Sequence, residues 1–152
     1  MRKENEVRAL LLAAGLGTRL CPLTEMWPKC LMPIGKRPLL EYWLETLYLT
    51  NVREVHVNLH HHSEIVLEFL NRPRFEGWVH PVYEETLLGT AGTLKANREF
   101  FHDCTTLLVH ADNWCQCDFA NFLKYHRKYR PEHCLITMMT FESPTPGTCG
   151  IV

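Results

Sequence analysis

The sequence predicts an α/β fold in which a mostly parallel β-sheet carries helices on both of its faces. Apolar, β-capable runs alternate along the chain with segments of helical periodicity. Strands that are separated by helices need crossover connections, which favour parallel pairing. The 152 residues, 46% of them hydrophobic and 22% charged, can bury a sizeable core and suit one globular domain over residues 1–152.

The first half of the chain alternates strands and helices. Residues 7–13 form a continuous β-capable run that leads to glycines and predicts a buried first strand. After a proline-rich loop, Leu39–Leu49 has apolar residues at helical spacing, and Pro38 suits the first turn of that helix. Residues 54–59 then predict a second strand, and Ser63–Leu70 predicts a second helix.

The second half continues the same alternation. Its predicted elements are a strand at 79–83, a helix at 90–101, a strand at 106–110, a helix at 119–130 and a strand at 135–140. Asp118 can cap the last of these helices, and Pro131 stops it. The predicted order is therefore β-α-β-α-β-α-β-α-β.

Charge and hydropathy narrow the range of partners. The net charge of −1 gives no electrostatic reason to expect a nucleic-acid partner. The apolar run at 9–14 is too short for a membrane span or a signal peptide, so we expect no membrane partner and a cytoplasmic protein. The seven scattered cysteines indicate reduced, partly buried thiols. The histidines at 60–62 indicate an exposed helix start rather than metal ligands.

Unusual residues occur in three loops, after the first, third and fourth predicted strands. Parallel α/β sheets bind ligands outside the carboxyl ends of their strands. In the first loop, Gly15 and Gly17 let backbone amides approach an anion. The planar guanidinium of Arg19 can donate hydrogen bonds to two phosphate oxygens at once, and Lys29 supplies a positive charge on a flexible side chain. Residues 14–29 therefore predict a loop that holds a triphosphate.

Two common phosphate-binding motifs do not fit this loop. A dinucleotide fingerprint needs a third glycine where Leu20 stands, and a Walker A loop needs Gly-Lys-Ser/Thr together. The complete pattern reads Gly15-x-Gly17-Thr18-Arg19-x-x-Pro22-Leu23-Thr24, then Pro28-Lys29, Pro33-Ile34 and Arg37-Pro38. It resembles the signature of the sugar-phosphate nucleotidyltransferases, which join a nucleoside triphosphate to a sugar 1-phosphate and release pyrophosphate. The resemblance extends over about residues 7–152. It implies a Rossmann-like three-layer sandwich of the nucleotide-diphospho-sugar transferase type.

The second loop, residues 84–92, is similar to the base-binding loop of this family. Its Leu-Gly-Thr-Ala-Gly string at 88–92 resembles mannose-1-phosphate guanylyltransferases most. Guanine offers two N–H donors on one edge, and a carboxylate is a pure acceptor, so Glu84 is the candidate for base recognition and Glu85 the fallback. Both glutamates equally fit solvated positions at a strand end. Thymine and uracil also present an N–H donor, so the pattern favours guanine without excluding them.

The third loop places Asp112 just past a buried apolar strand. Magnesium in proteins takes one or two carboxylates together with phosphate oxygens and water, so Asp112 is the predicted Mg²⁺ ligand. A lone aspartate at a strand end is otherwise a turn or capping residue. In the family this aspartate often follows a glycine, whereas here it follows Ala111.

The resemblance also implies a division of roles. Arg19, Lys29 and Asp112 form the implied catalytic set, in which the two cations and Mg²⁺ neutralise the phosphates. The implied nucleotide-binding residues are Leu12, Ala13, Ala14, Gly15, Gly17, Thr18, Arg19, Lys29, Glu84, Gly89, Thr90 and Gly92. The implied partners are a nucleoside triphosphate, with GTP favoured, and a sugar 1-phosphate, with mannose 1-phosphate favoured.

The end of the sequence bears on activity. Residues 150–152 resemble a family stretch that leads into the sugar-phosphate half, so we expect a C-terminally incomplete fold that holds the nucleotide-binding portion. Two alternatives remain open: a nucleotide-binding or regulatory module without turnover, and a cytidylyltransferase acting on a non-sugar phosphate such as phosphocholine. An incomplete sheet would expose an edge or an apolar face, so homo-oligomers are also expected.

Overall fold

A computed structural model describes residues 6–145 and Gly147. The polar residues at 1–5 and the family-like stretch at 150–152 lie outside the described residues. The chain forms two compact units, one that ends at Gln116 and one that begins at Cys117. The single domain over residues 1–152 stays a prediction.

The first unit is organised around a four-stranded sheet whose strands all run in parallel. The strands are β1 (Val7–Leu12), β4 (Val55–Leu59), β5 (Val79–Tyr83) and β6 (Thr105–His110), in the spatial order β5-β4-β1-β6. In β1, Leu10 and Leu11 are fully buried, because this strand is paired on both sides and helices lie on both faces of the sheet. A continuous apolar run is what such a position requires.

Three helices connect these strands. They are α1 (Leu39–Leu49), α2 (Ser63–Leu70) and α3 (Gly89–Ala96). Right-handed crossovers place α1 and α2 on one face of the sheet and α3 on the other, because the chain reverses its direction across the sheet after β5. The predicted mostly parallel sheet with helices on both faces is therefore confirmed.

Short elements fill the long loop after β1. A two-stranded antiparallel ribbon is made by β2 (Pro33–Ile34) and β3 (Arg37–Pro38). Single 3-10 turns occur at Thr18–Leu20, Leu23–Glu25 and Lys29–Leu31, and a fourth lies at Pro73–Phe75. The prolines of this loop interrupt regular hydrogen bonding, so the backbone turns tightly instead of forming a longer helix.

The second unit contains α4 (Phe119–Lys128). The predicted cap is confirmed, because the Asp118 side chain accepts a hydrogen bond from the Asn121 backbone N–H at 2.9 Å. The predicted strand at 135–140 is wrong: residues 131–145 contain no strand, and Leu135 and Ile136 are exposed. An apolar run has β propensity, but it becomes a strand only where another strand pairs with it.

Helix α3 is also shorter than the predicted 90–101, since it ends at Ala96. Asn97 follows it, and its side-chain amide donates to the Thr93 carbonyl at 2.9 Å. The same carbonyl also accepts the Asn97 backbone N–H at 3.1 Å, the last bond of α-helical spacing. Beyond it the backbone N–H groups bond carbonyls three residues back, as from Arg98 to Lys95 at 3.3 Å, so the chain continues in tight turns instead of α-helix. Among the described residues, no helix is long and apolar enough to cross a membrane.

Two leucines of α1 test the packing of this unit. Leu44 is fully buried, whereas 78% of Leu49 is exposed. We expect Leu44→Ala to lower the free energy of unfolding by about 2–5 kcal/mol, through lost apolar burial and the cavity left behind. The matched change Leu49→Ala should alter it by less than about 0.5 kcal/mol. Urea unfolding followed by circular dichroism measures the free energy of unfolding of both variants. Equal losses in the two variants would contradict the assignment of Leu44 to the buried face of α1 and of Leu49 to its exposed face.

Candidate nucleotide-binding site

The candidate site lies where the strand order reverses. Strands β1 and β6 are adjacent in the sheet, although the other two strands of this sheet, β4 and β5, lie between them in sequence. Their pairing continues past the strand ends, because the Ala111 N–H donates to the Leu12 carbonyl at 3.0 Å. The loops after the two strands therefore lie side by side, at the position where open α/β sheets bind ligands.

The loop after β1 needs a glycine at position 17 for two separate reasons. Gly17 has φ +64°, in the left-handed region that disfavours side chains. A Cβ at this position would also lie 2.7 Å from Cγ2 of Thr24. Thr24 is itself buried, and its hydroxyl donates to the Gly17 carbonyl at 2.9 Å. Gly15, by contrast, has open space around it and is exposed.

The lysine predicted to bind phosphate and the aspartate predicted to bind metal are in direct contact. Lys29 Nζ lies 2.6 Å from Asp112 Oδ2, and both side chains are half-buried. Arg19 is exposed, and it forms no hydrogen bond or ion pair within residues 6–145. The structure thus brings two of the three predicted catalytic side chains together and leaves the third available at the rim.

The position of Asp112 is fixed by its neighbours. Ala111 is fully buried, and the indole Nε1 of Trp43 donates to the Asn113 carbonyl at 2.8 Å, so α1 anchors this loop. The described residues contain no cluster of three or more side chains that could hold a metal. A single carboxylate of this kind fits Mg²⁺ that completes its coordination with phosphate oxygens and water.

Glu84, the predicted base-recognition residue, is buried at the end of β5. Its Oε1 accepts hydrogen bonds from Asn58 Nδ2 at 3.1 Å and from the Thr93 hydroxyl, and its Oε2 accepts from the Leu88 N–H at 3.3 Å. Both carboxylate oxygens are therefore already used inside the protein. Glu85 is exposed. Base recognition by either glutamate stays a prediction.

The glycines of the second loop lie at the start of α3. Gly89 has φ +70° and is the first residue of the helix. A Cβ at Gly92 would lie 2.9 Å from the Leu88 Cβ, so the first turn leaves no space for a side chain there. Thr90 is exposed. Gly89 and Thr90 thus present open backbone on the same edge as the loop after β1.

Sequence analysis missed the polar residues that hold these loops in place. Asn58 Oδ1 accepts the backbone N–H groups of Ala13 and Ala14 at 2.7 and 3.2 Å. The only available signal was an asparagine between the apolar residues Val57 and Leu59 of a predicted strand. The histidines at 60–62 precede helix α2 as predicted, but they are half-buried, so their predicted exposure is wrong. They donate to backbone carbonyls: His60 to Glu84, and His61 and His62 to Thr24.

Cys30 lies in the same loop as Lys29 but has a different character. It is fully buried, and burial raises the pKa of its thiol to about 12. The thiolate, which is the reactive form, is therefore absent at neutral pH. Cys30 belongs to the core, in agreement with the predicted buried thiols.

The two glycines of the first loop form a matched pair for testing its conformation. We expect Gly17→Ala to lower the free energy of unfolding by about 1–3 kcal/mol, because a Cβ at positive φ is strained and overlaps Thr24. Gly15→Ala should change it by less than about 0.5 kcal/mol, because the space around Gly15 is open. Chemical unfolding of both variants measures this difference, and its absence would contradict the described loop.

Comparisons with known proteins agree with this geometry. The profile of the family described as nucleotidyl transferase matches residues 8–152. A mannose-1-phosphate guanyltransferase of Yarrowia lipolytica is 28% identical over 150 residues, which cover 96% of this chain and 40% of that protein. The chain thus spans about two fifths of the length of this curated relative.

Solved structures show the same fold. A UDP-glucose pyrophosphorylase complexed with UDP-glucose has a TM-score of 0.72 at 18% identity, covering 82% of this chain and 54% of that one. A CTP:phosphocholine cytidylyltransferase from Streptococcus pneumoniae has a TM-score of 0.62 at 28% identity, covering 74% and 48%. The family match extends over nearly the whole sequence, so this chain belongs to the nucleotidyl transferase family.

Proposed function

We propose that this chain forms the nucleotide-binding portion of an enzyme that transfers a nucleoside monophosphate from a nucleoside triphosphate to a sugar 1-phosphate and releases pyrophosphate. The observation that carries the proposal is the contact of Lys29 with Asp112 beside the glycine loop. GTP and mannose 1-phosphate are the favoured substrates. This preference is supported by the 28% identity to the mannose-1-phosphate guanyltransferase of Yarrowia lipolytica.

In this proposal the triphosphate lies along the loop after β1. Gly15 leaves open space for it, while Thr18 and Arg19 are exposed beside that space. Arg19 grips phosphate oxygens with its guanidinium fork, and Lys29 adds a second positive charge. Transfer of the nucleotidyl group to the sugar phosphate in line then requires mainly positioning and charge neutralisation from the protein.

Binding of the triphosphate must rearrange the ion pair between Lys29 and Asp112. The lysine turns toward phosphate oxygens, and the aspartate becomes free to bind Mg²⁺. When bound, the metal neutralises phosphate charge and helps the pyrophosphate to leave. Because both side chains are partly exposed, the exchange of one charged partner for another needs little reorganisation of the core.

The base is placed over the start of α3 in the same proposal. The exposed backbone at Gly89 and Thr90 lets a flat ring approach. The exposed carboxylate of Glu85 accepts the donors of guanine, since both oxygens of Glu84 are already bonded inside the protein. Self-association is proposed too, since side chains of the second unit such as Leu135 and Phe141 are exposed and apolar. Light scattering after gel filtration measures the molecular mass in solution.

One alternative has a specific observation in its favour. The Streptococcus pneumoniae structure, described as a CTP:phosphocholine cytidylyltransferase, is 28% identical to this chain, which favours CTP and a non-sugar phosphate acceptor. A nucleotide-binding or regulatory module without turnover is the other alternative, and it requires only the donor residues described above.

Measurements of nucleotide binding and of turnover distinguish the proposed sugar-phosphate nucleotidyltransferase from its two alternatives. We expect calorimetry with GTP, dTTP, UTP and CTP in the presence of Mg²⁺ to show binding that is tightest for GTP. Pyrophosphate release with mannose 1-phosphate, glucose 1-phosphate and phosphocholine then identifies the acceptor. Tightest binding of CTP together with turnover of phosphocholine would favour the cytidylyltransferase. Binding without any pyrophosphate release, even by a chain extended to the length of its relatives, would favour the regulatory module.

The two cations of the first loop give a direct test of phosphate binding. We expect Arg19→Ala and Lys29→Ala each to weaken GTP binding by about 10-fold to 100-fold, the equivalent of the ~1.5–3 kcal/mol typical of hydrogen bonds to charged groups. Lys36→Ala is the matched control, because Lys36 is an exposed lysine in the turn between β2 and β3.

The control variant should bind GTP as the unchanged chain does, and all three variants should keep their unfolding midpoints within a few degrees. Wild-type affinity in Arg19→Ala or Lys29→Ala would contradict the assigned role of that residue. Equal weakening in Lys36→Ala would mean that general charge, rather than the loop, attracts the nucleotide.

A further inference from the structure

We propose that Asn58, Glu84 and Thr93 are positioning residues, which together set the spacing between the phosphate loop after β1 and the base loop before α3. The inference rests on the proposed function, because it concerns the two loops that would hold one nucleotide. The three side chains form a buried hydrogen-bonded group at the carboxyl edge of the sheet, and their relative exposures are 4%, 6% and 1%.

Asn58 occupies a central position at this edge. On β4 it lies in register with Leu12 of β1 on one side and with Val82 of β5 on the other. Its side-chain Oδ1 accepts the N–H groups of Ala13 and Ala14, the first two residues after β1. The asparagine thus continues the pairing of β1 beyond the last residue of the strand and fixes the direction in which the glycine loop leaves the sheet.

The other end of the asparagine amide faces the base loop. Its Nδ2 donates to Glu84 Oε1 at 3.1 Å and to the Thr93 hydroxyl at 3.4 Å, while Thr93 donates to Glu84 in turn. Glu84 Oε2 then accepts the Leu88 N–H just before α3. One chain of hydrogen bonds therefore runs from the Ala13 amide through Asn58 and Glu84 to the start of α3.

The burial of Glu84 argues for positioning over direct contact with the base. A buried carboxylate is stable only when donors surround it, and here three donors from Asn58, Thr93 and Leu88 occupy both of its oxygens. To read a base, Glu84 would have to give up bonds that hold the loop. A positioning role predicts that disturbing it weakens all nucleotides alike, whereas base recognition predicts a selective loss of GTP.

A pair of isosteric changes separates these roles. Asn58→Asp removes the Nδ2 donor and places a second carboxylate against Glu84. At about pH 8, where the two carboxyl groups lose a shared proton, repulsion replaces the bridge and moves the side chain at 58 away from the Ala13 and Ala14 amides. Glu84→Gln removes the charge at the other end. In the double variant, the new amide at 84 donates to the new carboxylate at 58, which still accepts the Ala13 and Ala14 amides, so the bridge is restored with its direction reversed.

The readouts are the affinities for GTP, CTP, UTP and dTTP by calorimetry, and the hydrogen-exchange rates of the Ala13 and Ala14 amides. We expect Asn58→Asp to weaken all four nucleotides by at least about tenfold and to speed both exchange rates by a similar factor. Glu84→Gln should produce a smaller loss that is again equal for all four. The double variant should return to within about threefold of wild type in both readouts.

The matched control makes the same two substitutions, Asn to Asp and Glu to Gln, at exposed positions on α2 and just after it. Asn71 and Glu68 are both exposed, so the double change Asn71→Asp with Glu68→Gln alters the same charges without touching the buried group. It should leave affinities and exchange rates unchanged. If Asn58→Asp fails to fold, two other variants that conserve side-chain shape take its place, Glu84→Gln and Thr93→Val. Equal weakening of all four nucleotides in these variants would support positioning, and a selective loss of GTP would support base recognition.

Three results would overturn the inference. These are a loss confined to GTP in Glu84→Gln, wild-type affinity in a folded Asn58→Asp, and a double variant no better than Asn58→Asp alone. If the unchanged chain bound none of the four nucleotides, the proposed function would fail instead. The exchange rates of Ala13 and Ala14 would then still show whether the buried group holds the loop.

Discussion

Parallel pairing of the four strands is the constraint on which the rest of the first unit depends. Parallel pairing brings the carboxyl ends of β5, β4, β1 and β6 to one edge of the sheet. The rest of the sheet carries buried apolar side chains such as Leu10 and Leu11. Polar groups that cannot be buried in that core gather at the edge. Lys29 and Asp112, 83 positions apart in sequence, meet there as an ion pair.

Two carboxylates at this edge have opposite physical characters. Asp112 is half-buried and balanced by one flexible lysine, so its partner can be exchanged for another cation at little cost. Glu84 is buried and surrounded by donors on β4, on α3 and just before α3, so its bonds resist rearrangement. A site that must hold a ligand needs both kinds of group, one to respond to the ligand and one to keep the loops in place.

The predictable parts of the fold are those that depend on local pattern. The four strands of the parallel sheet and the helices α1 and α2 were predicted at nearly their correct bounds, because each shows its own hydrophobic pattern. The strand predicted at 135–140 failed since an extended run acquires a strand's hydrogen bonds only from a partner elsewhere in the chain. Helix α3 ends early because, after Asn97, the backbone N–H groups bond carbonyls three residues back instead of four, a change that the hydrophobic pattern does not indicate.

The sequence by itself determined the fold class, the family and the placement of three candidate loops, because strand order along the chain and short glycine patterns are local properties. Only the tertiary structure decided which side chains of those loops touch. The ion pair of Lys29 with Asp112, and the buried group around Asn58, depend on lateral strand order and register. Those are set by packing across the whole sheet, which no local pattern contains.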